Sequence, residues 1–181
     1  VQIKEAKAFI ETGIDAYVFI SNRFAKADES DDVLIKNMEY VADALPDIPL
    51  GVYECPYPYK REISPYVMKK MVESGRYLFI KDTCCSIPKL KEKVKHKNNV
   101  SYWNYPIVGY SGHEEDPLNP CLFAFAAGAE IIERHITYDK KAEGSDHKCR
   151  NKKTAMIMLR EELEETGKIL GWASLPSYDL V

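Results

Sequence analysis

The chain lacks the features that would mark a membrane, secreted or nucleic-acid-binding protein. No apolar run approaches the ~18 residues that a membrane-spanning helix needs, and residues 1–13 are too polar for a signal peptide. The five cysteines include no C-x-x-C pair, so neither a disulfide framework nor a structural zinc site is indicated. With 25 basic and 28 acidic residues, the net charge of −3 gives no reason to expect nucleic acid or an anionic membrane as a partner. We therefore predict a soluble, cytoplasmic protein with reduced thiols.

What the sequence does contain is a regular alternation of strand and helix signals. The predicted strands cover residues 16–20, 49–53, 77–81, 100–105, 107–110 and 130–137. Amphipathic stretches lie between them, and there is little hairpin signal, which indicates parallel strands joined by crossover helices. One basic run, residues 89–97, has apolar residues four apart and is interpreted as the solvated face of a helix.

This alternation predicts a single α/β domain over residues 1–181, built from about five β/α units of a TIM-type barrel. A complete eightfold barrel usually needs ~250 residues, so the barrel is expected to be partial or completed by another chain. Exposed strand edges must be covered, and we therefore predict a homo-oligomer or another completing chain. A doubly wound open sheet is the alternative, although no glycine-rich phosphate loop follows any predicted strand.

Two residues at the ends of successive predicted strands suggest chemistry. Tyr53 closes one strand and Lys81 closes the next. A lysine held among apolar neighbours such as Phe79 loses part of its preference for the charged form and becomes nucleophilic, while a nearby phenol can relay a proton. The alternative is an ordinary strand-end lysine with its ammonium group in water.

The sequence around these residues resembles a known family. The runs LGVYECPYP (50–58) and FIKDT (79–83), within a segment of about 1–95, resemble the dihydrodipicolinate synthase and N-acetylneuraminate lyase family. The resemblance implies a barrel aldolase in which Lys81 forms a Schiff base with pyruvate and Tyr53 relays protons. It also implies a small 2-keto acid or sugar-acid substrate and no required cofactor.

Two further residues are predicted to hold such a substrate. Thr83 lies just beyond Lys81 and is expected to hydrogen bond with the substrate carboxylate. Arg61, in the loop after Tyr53, is expected to clamp a second anionic or polar group. The alternative for Arg61 is a solvated loop residue.

The second half of the chain resembles a different family. The runs IVGYSGH (107–113), AGAEIIERHITYD (127–139) and GSDH (144–147) resemble the sialic acid synthase family, with an apparent join between the two segments near residues 95–106. This resemblance implies a barrel enzyme that condenses phosphoenolpyruvate with an N-acetylated amino sugar, using a divalent metal such as manganese or magnesium. It implies His113 as a metal ligand, with Glu133 and the 144–147 loop near the substrate.

Strand alternation gives part of this second site independently. Glu133 and His135 are two residues apart and therefore share a face of their predicted strand, so both can point into a barrel mouth. The alternative is that His135 is a hydrogen-bonded core histidine. The acidic run 114–116 is interpreted as the first turn of the following helix.

The sequence thus predicts one main function and two alternatives. The main prediction is a pyruvate-dependent aldolase or lyase that makes or breaks a carbon–carbon bond through an imine on Lys81. The first alternative is a metal-dependent sialic acid synthase, and the second is a catalytically silent, chimeric scaffold.

Overall fold

Parallel strands alternating with helices build both of the compact units into which the chain divides, Val1–Asn104 and Tyr105–Val181. The computed structural model describes residues 2–94, 108–141 and 151–172. Every strand pair in those ranges is parallel, which confirms the predicted α/β class. The described strands form a three-stranded sheet and a two-stranded sheet. The closed or completed barrel stays a prediction.

The first unit alternates helices and strands along the chain. Its elements are α1 (Gln2–Ile10), β1 (Tyr17–Ile20), a 3-10 turn (Ser21–Arg23), α2 (Asp31–Asp43), β2 (Leu50–Tyr53), α3 (Pro65–Ser74), β3 (Tyr77–Lys81) and α4 (Ile87–Val94). The strands pair in the order β1-β2-β3. The three strands predicted from apolar runs in this region are confirmed.

Two serines begin helices of the first unit. The Ser30 hydroxyl accepts a hydrogen bond from the Val33 backbone N–H, and the Ser64 hydroxyl accepts one from that of Val67 at 3.2 Å. Each bond satisfies a donor that the first helical turn would otherwise leave without a partner. The two caps fix where α2 and α3 begin.

The sheet of the first unit has one covered and one open face. Phe19 and Val52 are register partners in the core and are 4% and 0% exposed. On the open face, Val18 is 46% and Phe79 is 40% exposed. Gly51 lies opposite Phe79 in register, and a Cβ at Gly51 would come within 2.6 Å of the Phe79 ring. The glycine therefore allows the aromatic ring to lie across the open face.

The second unit has the same alternation on a smaller scale. Its elements are β4 (Gly109–Gly112), α5 (Leu118–Ala126), β5 (Ile131–Arg134) and α6 (Lys153–Ile169). Strand β5 is shorter than the predicted 130–137, because beyond it Ile136 forms only an isolated bridge with Asn151. Helix α5 contributes the buried Cys121 and Phe125, and α6 contributes Leu159.

Three predicted features fall outside the described residues, namely the apparent join near 95–106, the strand at 100–105 and the loop at 144–147. Within the described ranges, no helix combines the length and apolar character needed to cross a bilayer.

Candidate functional site

Tyr53 and Lys81 come together at the carboxyl edge of the first sheet. They are register partners on β2 and β3. The Lys81 ammonium nitrogen lies 5.0 Å from the centroid of the Tyr53 ring, within the range of a cation–π contact. Both side chains are partly exposed on the open face. The two residues predicted for Schiff base chemistry therefore share one open corner of the sheet.

Behind this corner lies a buried ionic network, formed by Glu54, Asp82 and Lys93. Lys93 Nζ donates to Glu54 Oε1 at 2.6 Å and to the Asp82 carboxylate. The Lys93 and Glu54 side chains are 4% and 0% exposed. The interpretation of the basic run as wholly solvated was therefore wrong for Lys93. Lys93 lies three residues after Leu90 and therefore on the same side of α4 as this apolar residue. The lysine thus shares the apolar side of the helix.

The network also fastens the loops that follow the strands. Glu54 accepts hydrogen bonds from the Ile63 and Thr83 backbone N–H groups, both at 2.8 Å. The Thr83 hydroxyl donates to the Glu54 carbonyl oxygen at 2.8 Å. Thr83 therefore lies beside the Lys81 corner with its hydroxyl proton directed at the backbone. Its predicted role in substrate binding stays a prediction.

Burial and the contacts with neighbouring polar groups shift the pKa values of Asp82 and Lys93 in opposite directions. Burial alone would raise the pKa of Asp82, but hydrogen bonds from Cys84 and Lys93 outweigh it and hold that pKa below its ordinary value. Burial alone would lower the pKa of Lys93, but hydrogen bonds to Asp82 and Glu54 outweigh it and raise that pKa above its ordinary value. Both groups are thus charged near neutral pH.

Arg61 is held by neighbouring elements of the first unit. Its guanidinium donates to Asp31 at 2.9 Å, and its side chain is 14% exposed. Its carbonyl oxygen accepts a hydrogen bond from the Ser21 hydroxyl at 2.6 Å. The guanidinium thus anchors the loop after β2 to the start of α2, and a contact with substrate stays a prediction.

The second unit brings His113 and His135 together. Ser111 and Glu133 are register partners on β4 and β5, and the two histidines lie two residues further along the same face. Their Nε2 atoms are 3.1 Å apart, and the ring centroids are 4.7 Å apart. His135 is therefore not a core histidine: it is partly exposed and faces His113 across the ends of two parallel strands.

The histidine pair fits a divalent cation. Two imidazole nitrogens bound at ~2.1 Å to one ion would lie roughly 3.0–3.4 Å apart, which brackets the observed separation. Imidazole suits first-row transition metals better than magnesium, so the pair favours manganese of the two predicted ions. Across the described ranges, no group of three or more His, Cys, Asp or Glu side chains is placed to hold a metal. Substrate and water would supply the other ligands.

On the opposite face of this sheet lies an ionic clamp, formed by Tyr110, Glu114 and Arg134. Arg134 donates to Glu114 Oε2 at 2.8 Å and to the Glu114 carbonyl oxygen at 2.6 Å, and the Tyr110 hydroxyl donates to Glu114 Oε1. The interpretation of residues 114–116 as a helix turn was thus wrong for Glu114. It was also wrong for the rest of the run, because α5 begins at Leu118 and has no acidic residue in its first turn. Asp116 lies before the helix and accepts a hydrogen bond from the Leu118 N–H at 2.9 Å.

The contacts within the clamp shift the pKa values of Glu114 and Tyr110. Burial alone would raise the pKa of Glu114, but hydrogen bonds from Tyr110 and Arg134 outweigh it and hold that pKa below its ordinary value. Burial and the Glu114 carboxylate raise the pKa of Tyr110 to about 12. Glu114 is thus an anion and Tyr110 a neutral donor near neutral pH.

The site contains one polar group that sequence reasoning missed. The Ser111 hydroxyl oxygen is buried and has no hydrogen-bond partner among the described residues. It lies on the same face as Glu133 and one alternation before His113. The signal was available, because strand alternation from His113 leads directly to Ser111.

Comparison with known proteins gives a family match that lies mostly in the second half of the chain. Residues 94–174 match the NeuB family. N-acetylneuraminate-9-phosphate synthase of Drosophila melanogaster is 50% identical over 42 residues, which cover 23% of this chain and 11% of that protein. N,N'-diacetyllegionaminic acid synthase of Campylobacter jejuni is 38% identical over 64 residues, covering 35% of this chain and 19% of that protein. The chain thus matches less than a fifth of the length of either relative.

A structural likeness extends over most of the chain. CdNal from Clostridium difficile, solved in complex with mannosamine, matches 93% of this chain and 51% of its own chain with a TM-score of 0.54 and 14% sequence identity. This likeness concerns the fold alone. The sequence matches support the synthase alternative better than the Schiff base aldolase that was the main prediction.

Proposed function

We propose that the second unit carries the metal-binding part of a synthase that joins phosphoenolpyruvate to an N-acetylated amino sugar. The observation that carries this proposal is the 3.1 Å approach of His113 Nε2 and His135 Nε2, inside the segment that matches the NeuB family. By name, the matched relatives are synthases of N-acetylneuraminate 9-phosphate and of N,N'-diacetyllegionaminic acid, which supports the same substrate class. The whole reaction is proposed, since the chain matches only part of those proteins.

The side chains around the histidines suit the two substrates. His113 and His135 would hold the divalent cation, which when bound would polarise a carbonyl oxygen of the sugar. Glu133 is exposed on the same face and is an acceptor for sugar hydroxyl or amide protons. The Ser111 hydroxyl, which makes no hydrogen bond to any residue that the structure describes, is a donor for a phosphate or carboxylate oxygen.

Metal binding is the direct test, because it does not require the complete barrel. Electron paramagnetic resonance of free Mn²⁺ measures the affinity of the intact chain. We expect one bound ion per chain, and His113→Ala or His135→Ala should weaken binding at least tenfold, since each removes one of the two proposed ligands.

The control is Tyr138→Ala, which removes a fully exposed aromatic side chain three residues after His135. It should leave the affinity for Mn²⁺ unchanged. A wild-type chain that binds no Mn²⁺, or a double histidine variant that binds as well as wild type, contradicts the proposal. Phosphate release from phosphoenolpyruvate with a panel of N-acetylated hexosamines then tests turnover.

A second candidate function belongs to the first unit, and its specific support is the 5.0 Å contact between Lys81 and the Tyr53 ring. In this proposal the Lys81 amine adds to the carbonyl carbon of a 2-keto acid such as pyruvate and loses water to give an imine. Tyr53 would protonate the departing hydroxyl group. A carbon–carbon bond next to the imine is then made or broken.

Borohydride trapping tests this second candidate. Reduction in the presence of pyruvate should attach one reduced pyruvyl group to Lys81, as located by peptide mass spectrometry, and Tyr53→Phe should slow its formation. Lys70, an exposed lysine on α3, is the internal control and should remain unmodified. Modification spread evenly over surface lysines counts against an activated Lys81. Failure of both functional tests would favour the silent scaffold.

A further inference from the structure

We infer that Glu114 and Arg134 are positioning residues, which hold His113 and His135 in register for the metal from the opposite face of the sheet. This inference rests on the proposed role of the two histidines as ligands. It concerns the ionic clamp formed by Tyr110, Glu114 and Arg134, none of which points toward the imidazole pair.

The clamp is joined to both ligands by a single peptide bond each. Glu114 follows His113 directly, and Arg134 directly precedes His135. Arg134 grips Glu114 twice, through its carboxylate at 2.8 Å and its backbone carbonyl at 2.6 Å. Because the second bond holds the main chain itself, the clamp fixes the distance between the two backbones one residue away from each imidazole.

Burial makes this connection stiff. The Arg134 side chain is 0% exposed, whereas that of Glu114 is 45% exposed. A buried guanidinium needs its anionic partner, so Arg134 has a strong preference for the observed arrangement. The Tyr110 hydroxyl donates to the other carboxylate oxygen of Glu114, and it comes from β4, the strand that leads to His113. The carboxylate is thus held from both strands at once.

Gly112 supplies the space for the clamp. It is the register partner of Arg134, and a Cβ built on it would fall well inside van der Waals contact with Arg134 Nη1 and Glu114 Oε2. The ion pair therefore passes directly over the backbone of β4 at the residue before His113. A side chain at this position would displace the ion pair.

The test separates positioning from folding by measuring Mn²⁺ affinity and thermal unfolding on the same intact variants. Glu114→Gln keeps the size of the side chain and removes its charge. We expect it to lower the affinity for Mn²⁺ by about 10- to 100-fold, as loss of an outer support for a metal ligand usually does. Tyr110→Phe, a milder change that removes one hydrogen bond, should lower the affinity roughly 2- to 10-fold.

The matched control is Glu164→Gln, which removes the acid of an exposed ion pair with Arg160 on α6. It should leave the affinity unchanged. The inference is overturned if wild type binds Mn²⁺ and both clamp variants bind it equally well, even when their unfolding temperatures fall. If wild type itself binds no Mn²⁺, the proposed function fails first and the inference fails with it. Only weakened binding in folded clamp variants, beside an unchanged control, supports it.

Discussion

Lys93→Met is the perturbation that tests most sharply whether the ionic network behind the Lys81 corner holds the first unit together. The ammonium of Lys93 lies 2.6 Å from Glu54 Oε1, and the two side chains are 4% and 0% exposed. Removing one partner of a buried ion pair costs about 3–5 kcal/mol, because the remaining charge stays buried. Glu54 keeps backbone donors at Ile63 and Thr83, so we expect a loss of about 3 kcal/mol, at the lower end.

The assay is urea unfolding followed by circular dichroism, with hydrogen exchange and mass spectrometry to assign the loss to peptides of the first unit. Lys70→Met is the matched control, because Lys70 and Glu73 form a 2.8 Å pair with side chains 39% and 43% exposed. That pair should contribute far less to stability, because both of its charges remain in contact with water. The double variant Lys93→Met with Glu54→Gln should recover part of the lost stability, because it also removes the buried carboxylate charge that has lost its partner. If Lys93→Met costs no more than the control, the network does not stabilise the strand ends and the reasoning is wrong.

Two further predictions concern the same sheet and its helices. The folded-state pKa of Asp82 is depressed, so its contribution to stability is present above its unfolded pKa of ~3.9 and is lost as the pH falls through the folded value. Asp82→Asn should therefore flatten the acid limb of a plot of unfolding free energy against pH, and an unchanged limb contradicts this. Gly51→Ala should destabilise the chain by about 1–3 kcal/mol, because the new methyl group would overlap the Phe79 ring. Gly167→Ala in α6, where the nearest atom would be at 3.6 Å, should instead stabilise by about 0.5–1 kcal/mol, and equal effects of the two alanines in urea unfolding would refute the packing argument.

The fold was largely predictable because its signals are local. An apolar run fixes a buried parallel strand, and a serine before an amphipathic stretch fixes a helix start, as at Ser30 and Ser64. The ends of β2 and β3 were correct for the same reason, and with them the meeting of Tyr53 and Lys81. Two successive parallel strands that end in register must bring their last residues together.

The ionic partners were not predictable, because they are set by tertiary contacts. Glu54 is 39 residues from Lys93, and Glu114 is 20 residues from Arg134. A lysine in a basic run and an acid in an acidic run each match a solvated surface by composition. Only the packing of α4 and the register of β4 and β5 bring these partners together and bury the Lys93 and Arg134 side chains.

The two units solve the same positioning problem in the same way. The four side chains of the two reactive pairs each have a charged neighbour in sequence that takes part in an ion pair: Tyr53 with Glu54, Lys81 with Asp82, His113 with Glu114, and His135 with Arg134. Successive residues of an extended strand point to opposite faces of the sheet. A reactive residue on one face can therefore be held in place by an ion pair that its sequence neighbour forms on the other face. Each ion pair links the ends of two strands, either directly or through one helical lysine. These ion pairs thus fix the positions of the strand ends relative to each other. They matter there because a short parallel sheet has few hydrogen bonds between its strands. A conservative change in the anchoring residue should therefore alter the geometry of the reactive pair before it unfolds the unit.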